Sequence, residues 1–202
     1  MIGLCKTVLS LVVSTAVVTA VMAQQAQNVR IRGTLENVNG NELQIKTRDS
    51  QNVSVKLADN ARVLAFVKAS LEDIKPNSYI GVTAMPEPDG SQRAIAIHIF
   101  METQRGTGEG HRPWDLQPNS TMTNAAVENK VAGVDGQVLT VKYKDGEKKI
   151  LVTPQTQIVA YANGERGELK PGTPVNFFAQ KQSDGSFTAQ AINIGRGIVP
   201  PM

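Results

Sequence analysis

Apolar and polar residues alternate along most of the chain. Ile31, Gly33 and Leu35 share one parity, as do Leu43 and Ile45, then Val53, Val55 and Leu57, then Ile80, Val82 and Ala84. The same spacing returns at Leu139, Val141 and Tyr143, at Ile150 and Val152, and at Ile192 and Ile194. A period of two sends every second side chain to one face, so each run predicts a β-strand with one buried face. Between the runs stand Asn39-Gly40, Asp89-Gly90, Asp135-Gly136, Asp145-Gly146 and Asp184-Gly185, dipeptides that accept the positive φ of tight hairpin turns. Two sites predict a single helical turn. In "ASLEDIKPN" Ser70 can cap, Asp73 follows three residues later as in a capping box, and Pro76 stops the turn. "GELKPG" fills the corresponding place downstream.

That correspondence is general. "NGNELQIK" (39–46) matches "DGQVLTVK" (135–142), "VLAF" (63–66) matches "IVAY" (158–161), "DIKPNS" (73–78) matches "ELKPGT" (168–173), and "PDGSQRAIAIHI" (88–99) matches "SDGSFTAQAINI" (183–194). Order is kept, and the offset stays at 95 to 96 residues, which points to a duplicated module. The expected organisation is a first β-barrel repeat over 28–101, a connector over 102–124, a second β-barrel repeat over 125–196 and a tail over 197–202. Three or four strands, one helical turn and two more strands suit an OB-like barrel, with a half-open roll as the alternative. The fold class is therefore all-β. A unit of about 70 residues buries only about 60% of its unfolded surface, so the two copies are expected to lean on each other or on the connector.

The first 23 residues read differently. Lys6 precedes an uncharged stretch from Thr7 to Met22, and Val21-Met22-Ala23 offers small residues for signal peptidase. This predicts a cleaved secretory signal and a periplasmic protein. No other stretch is long and apolar enough to span a membrane. The one cysteine, Cys5, lies ahead of the apolar run, so cleavage leaves neither disulfides nor thiol chemistry. Losing Lys6 takes the charge balance from +3 to +2, too small to signal a polyanion partner. The lysines of "KYKDGEKK" (142–149) alternate with Asp145 and Glu147 and read as a solvated hairpin tip; no nucleic-acid partner is expected.

The connector holds the residues the copies do not explain. "RGTGEGHRPWD" (105–115) contains Gly106, Gly108 and Gly110, His111 and the only tryptophan. The glycines form no phosphate loop, because Pro113 and Pro118 bar the helix such a loop must open. They read as a flexible connector. His98, in "AIAIHIF", corresponds to Asn193 of the second copy and is placed on the less buried strand face. The spacing of His98 and His111 matches no zinc motif, and no GxSxG nucleophile elbow occurs. No catalytic residue, metal site or cofactor is expected. Phe66, Tyr161 and Phe177 sit in apolar runs and read as core. Trp114 is expected in the groove between the barrels, its indole N–H bonded to a partner such as a backbone carbonyl. His111, Arg112, Trp114 and Asp115 together form the candidate binding or interdomain surface.

The matched blocks, the stretch "GTGEGHRPWDLQPNSTMTNA" (106–125) and the "VPPM" ending (199–202) resemble a family of small exported proteobacterial proteins with tandem OB-like repeats of unknown function. Members of that family often carry the automatic label "metal ABC transporter permease". The label does not suit this chain, since a permease needs several apolar spans of about 20 residues. The resemblance implies an exported, repeated β-fold and offers no catalytic residues. The functional expectation is a non-enzymatic periplasmic binding or adaptor module, whose partner is an envelope protein or a small ligand. The alternatives are a metal-handling accessory or a structural, stress-protective envelope protein. The sequence does not indicate an oligomeric state.

Overall fold

A computed structural model describes residues 27–133 and 136–201. The leader, Asp135 of one turn dipeptide and Met202 of the tail lie outside them. Strands form where the alternation predicts. Strand β1 (Gln27–Asn39), β2 (Glu42–Thr47) and β3 (Asn52–Lys68) are followed by a 3-10 turn at Leu71–Asp73, then β4 (Tyr79–Pro86) and β5 (Gln92–Ile99). The connector contributes a 3-10 turn at Glu102–Gln104 and a short strand, β6 (Gly110–Pro113). Then come β7 (Thr121–Gly133), β8 (Gly136–Tyr143), β9 (Gly146–Val152) and β10 (Gln157–Asn163). A 3-10 turn at Arg166–Glu168 leads into β11 (Pro174–Lys181) and β12 (Phe187–Gly195). At the first of these turns the Asp73 carboxylate accepts from both the backbone N–H and the hydroxyl of Ser70, at 2.8 and 2.9 Å.

The strands close into two five-stranded OB-like barrels, but not one per matched half of the sequence. In the first barrel β1, β2 and β3 form a meander, β11 pairs with β1, and β12 closes the circuit parallel to β3. In the second barrel β7, β8 and β9 form the meander, β4 pairs with β7, and β5 closes parallel to β9. Each barrel thus takes its closing hairpin from the other half of the chain. This corrects the expectation that 28–101 and 125–196 each fold as a barrel. Strand β3 runs on for 17 residues without glycine or proline between Ala58 and Arg62. The second half covers the same ground with two strands, β9 and β10, separated around Pro154. Both routes lead the chain out of its own barrel.

The cores are mostly aliphatic, Phe177 being the one buried aromatic side chain in the first. Leu35, Leu43, Ile45, Leu57 and Ile192 fill the first barrel; Ile80, Ile97, Leu139, Val141 and Ile150 fill the second. Between them, the end of β3 pairs antiparallel with β10, and β10 also pairs parallel with β5. This ribbon makes one continuous sheet of the two barrels. Strand β6 hydrogen-bonds to the stretch of β7 that β8 does not reach. The connector is thereby a fixed piece of the second barrel and not a flexible link. Gly106 and Gly108, at φ of 83° and 54°, supply the left-handed turns that bring it there. No helix among the described residues is long and apolar enough to cross a membrane.

Candidate functional site

A cavity of about 180 Å³ lies where the ribbon, the connector and both barrels meet. The chain has nine aromatic residues, five Phe, three Tyr and one Trp. Six of them, Phe66, Phe100, Trp114, Tyr161, Phe177 and Phe178, line this one cavity. With both barrel cores mostly aliphatic, most of the aromatic side chains gather at the junction. Phe66 packs its ring 4.4 Å from that of Tyr161, and Tyr161 stacks on Phe100 at 5.4 Å and 20°.

His98 stands edge-on to this cluster, 4.5 Å from Phe100 and 5.5 Å from Tyr161 between ring centres. It is only 4% exposed, which corrects its placement on the less buried face. The outer face of β5 is covered here by the ribbon and the connector. Gly81 on neighbouring β4 makes the room, since a Cβ there would overlap the imidazole. Burial, with help from the charge of Arg112, lowers the His98 pKa to about 3. The ring is therefore neutral at physiological pH.

Trp114 is half-buried and packs against Phe66, Met122 and Val159. The Arg30 guanidinium, from the first barrel, lies 3.7 Å over the indole and 4.4 Å over Phe178. It is a cation held between two aromatic faces. Arg112, from the connector, lies 5.3 Å from the same indole on its own approach and donates to the Gly108 carbonyl at 2.7 Å. Asp115 sits outside this stack. Its carboxylate meets Arg30 at 3.2 Å and takes two bonds from Arg32, at 2.9 and 3.3 Å. Burial lowers the Arg30 pKa to about 10, and Asp115 opposes that shift. Arg112 is likewise lowered by burial. Among the described residues no carboxylate lies in ion-pair range of Arg112.

Four buried polar atoms at this cavity have no hydrogen-bond partner: Arg30 Nε, His98 Nδ1, Trp114 Nε1 and Asn124 Oδ1. The carbonyl expected for the indole N–H is not there. The Asn124 amide nitrogen donates to the Thr107 carbonyl at 2.9 Å, so its oxygen is the group left over. Buried polar atoms are ordinarily paired, because each unpaired one costs about 1–3 kcal/mol. Four of the six such atoms among the described residues belong to side chains that line this one cavity.

Of the four residues nominated from sequence, Arg112 and Trp114 line the cavity. His111 does not. The strand alternation of β6 sends it away, its Nδ1 lies 2.8 Å from Thr123 Oγ1, and burial together with Lys148 and Arg112 lowers its pKa. Asp115 serves from outside as the counter-ion of Arg30 and Arg32. The residues not foreseen are Arg30, His98, Phe100 and Asn124. One signal was available: in a chain with so few aromatic residues, Phe66 and Tyr161 lie near the ends of their strands and Phe100 directly follows one. Among the described residues no three His, Cys, Asp or Glu side chains gather. No protein-family model matches this chain, and no curated protein or solved structure matches it.

Proposed function

We propose that this protein is a non-enzymatic, exported binding module that encloses a small ligand at the junction of its two barrels. The observation that carries this reading is the set of four unpaired buried polar atoms around one aromatic-walled cavity. A cavity near 150 Å³ is large enough for a single ring, so about 180 Å³ suits a compact molecule. The chemistry of the walls favours holding over turnover. His98 is neutral, and its Nδ1 has no carboxylate to orient it, as a general base requires. The metal-handling alternative has no donor cluster to rest on among the described residues.

Export is supported by the leader, and a mature N-terminus after Ala23, read by mass spectrometry, is the expected result. Binding is tested by saturation-transfer NMR with a panel of single-ring compounds, comparing the natural chain with Asn193→Phe. Asn193 lines the cavity, and a ring placed there fills it. Compounds that bind the natural chain and not the variant support the site. A panel that finds no binder, or binders indifferent to the filled cavity, defeats it.

A further inference from the structure

Resting on that reading, the charges around the cavity narrow its ligand to one class. Arg30 and Arg112 line the cavity and Arg32 stands behind Asp115, which among the described residues is the one carboxylate paired with any of the three. Asp115 is already shared between Arg30 and Arg32. Arg112 keeps only the Gly108 carbonyl, and a carbonyl does not neutralise a charge. Arg112 is a partly buried cation without a counter-ion among the described residues, a charge that an anion can join. The Trp114 ring, 5.3 Å from the Arg112 guanidinium, flanks it. The paired N–H donors of a guanidinium suit the two oxygens of a carboxylate. Deeper in, the neutral His98 and the rings of Phe66, Phe100 and Tyr161 offer flat apolar walls.

We propose that the cavity takes a small planar organic anion, a carboxylate on a single ring or a short conjugated chain, with the carboxylate at Arg112 and the flat body among the aromatic side chains. Metal ions and cations are disfavoured by the guanidinium excess. Inorganic anions would leave the aromatic walls uncovered.

Calorimetry of the mature chain at neutral pH with four probes tests this: benzoate, benzyl alcohol, benzylamine and acetate. Benzoate is expected to bind one-to-one and roughly tenfold or more tighter than benzyl alcohol, with benzylamine and acetate weaker still. Arg112→Gln is expected to abolish the preference of benzoate over benzyl alcohol, and Arg112→Lys, which keeps the charge, to retain most of it. Unfolding midpoints of both variants establish that they are folded. Benzoate and benzyl alcohol binding alike would overturn the anion inference while leaving the cavity as a site for neutral rings. A preference that survives Arg112→Gln would overturn the role of Arg112. Acetate binding as well as benzoate would overturn the planar body. No binding by any ring compound would overturn both this inference and the binding reading beneath it.

Discussion

Phe66 lies directly opposite Tyr161 in the antiparallel pairing of β3 with β10, and the two are the matched fourth residues of "VLAF" and "IVAY", 95 positions apart. The pairing is symmetric about them: Ala65 faces Ala162, and Leu64 faces Asn163. The neighbouring parallel pairings repeat with the same displacement. Ile192 on Val63 becomes Ile97 on Ile158, and Phe187 on Val55 becomes Gln92 on Ile150. The ribbon is thus the axis about which the two halves trade their closing hairpins. The cavity beside it breaks the symmetry, since His98 and Phe100 on one side correspond to Asn193 and Gly195 on the other.

Phe66 is 1% exposed and touches no barrel core, yet its removal should loosen both barrels. Phe66→Ala is expected to cost about 3–5 kcal/mol, the range for truncating a buried aromatic ring. Urea unfolding should show a single transition at a lowered midpoint, because each barrel contains strands from both halves. Two separate transitions would show the barrels to be energetically independent.

The exchange also governs what cutting the chain does. A cleavage site introduced at Gly106–Thr107 should leave one particle, not two domains. The N-terminal piece holds β1–β5 and the C-terminal piece β6–β12, and neither can close a barrel alone. The nicked protein is expected to elute from size-exclusion chromatography as the intact one does, and its pieces to separate only in denaturant. Elution as two folded fragments would contradict the strand pairing.

The strands were legible because alternation is a local property, and so were the hairpins, through Asn-Gly and Asp-Gly. The exchange was not. A closing hairpin presents the same alternation whether it completes its own barrel or the other, and only the unbroken run from Asn52 to Lys68 hints that the chain travels on. Periodicity also assigns two faces to β5 without saying that both are covered, which is why His98 was misplaced. Arg112 and Trp114 stood out as residues the matched blocks leave unexplained. Arg30 did not, because an arginine on the outward parity of a strand usually faces water.

Trp114 bears on the junction less than a fully buried ring would. It is half-buried, and its main partner is the Arg30 guanidinium at 3.7 Å. Trp114→Ala is expected to destabilise by about 2–3 kcal/mol, below or at the foot of the range for buried aromatic truncation. Tryptophan emission in the natural chain should be only partly shielded from acrylamide. Full protection or full accessibility would each contradict this placement.

The buried imidazole makes stability depend on pH. In the unfolded chain His98 titrates near 6.5, whereas burial holds it at about 3 in the fold. Below pH 6.5 the unfolded state therefore binds a proton that the folded state refuses, and stability falls as pH falls, by about 1.4 kcal/mol per unit down to the folded value. At pH 5 the loss is about 2 kcal/mol. His98→Asn, the residue at the corresponding position of the other half, should remove this component. The difference in unfolding free energy between the natural chain and the variant, followed from pH 7 to pH 5, is expected to shrink by that amount. A difference that stays constant would mean the imidazole can be protonated in place.

Asp115 ties the connector to β1 through Arg30 and Arg32, and its removal should act in two opposite directions. The Arg30 side chain is 8% exposed and the Asp115 side chain 55%, so solvent screens the carboxylate but hardly reaches its partner. Asp115→Asn leaves a poorly solvated guanidinium without its anion. Half-exposure of the lost carboxylate keeps the cost well under that of breaking a fully buried pair, at about 1–2 kcal/mol. The same change raises the positive excess at the cavity, so a bound carboxylate should restore part of the loss. The variant is expected to unfold at a lower urea midpoint than the natural chain and to be stabilised more strongly by saturating benzoate. Equal stabilisation of both proteins would separate Arg30 from the ligand and leave Arg112 as the only cation that the cavity uses.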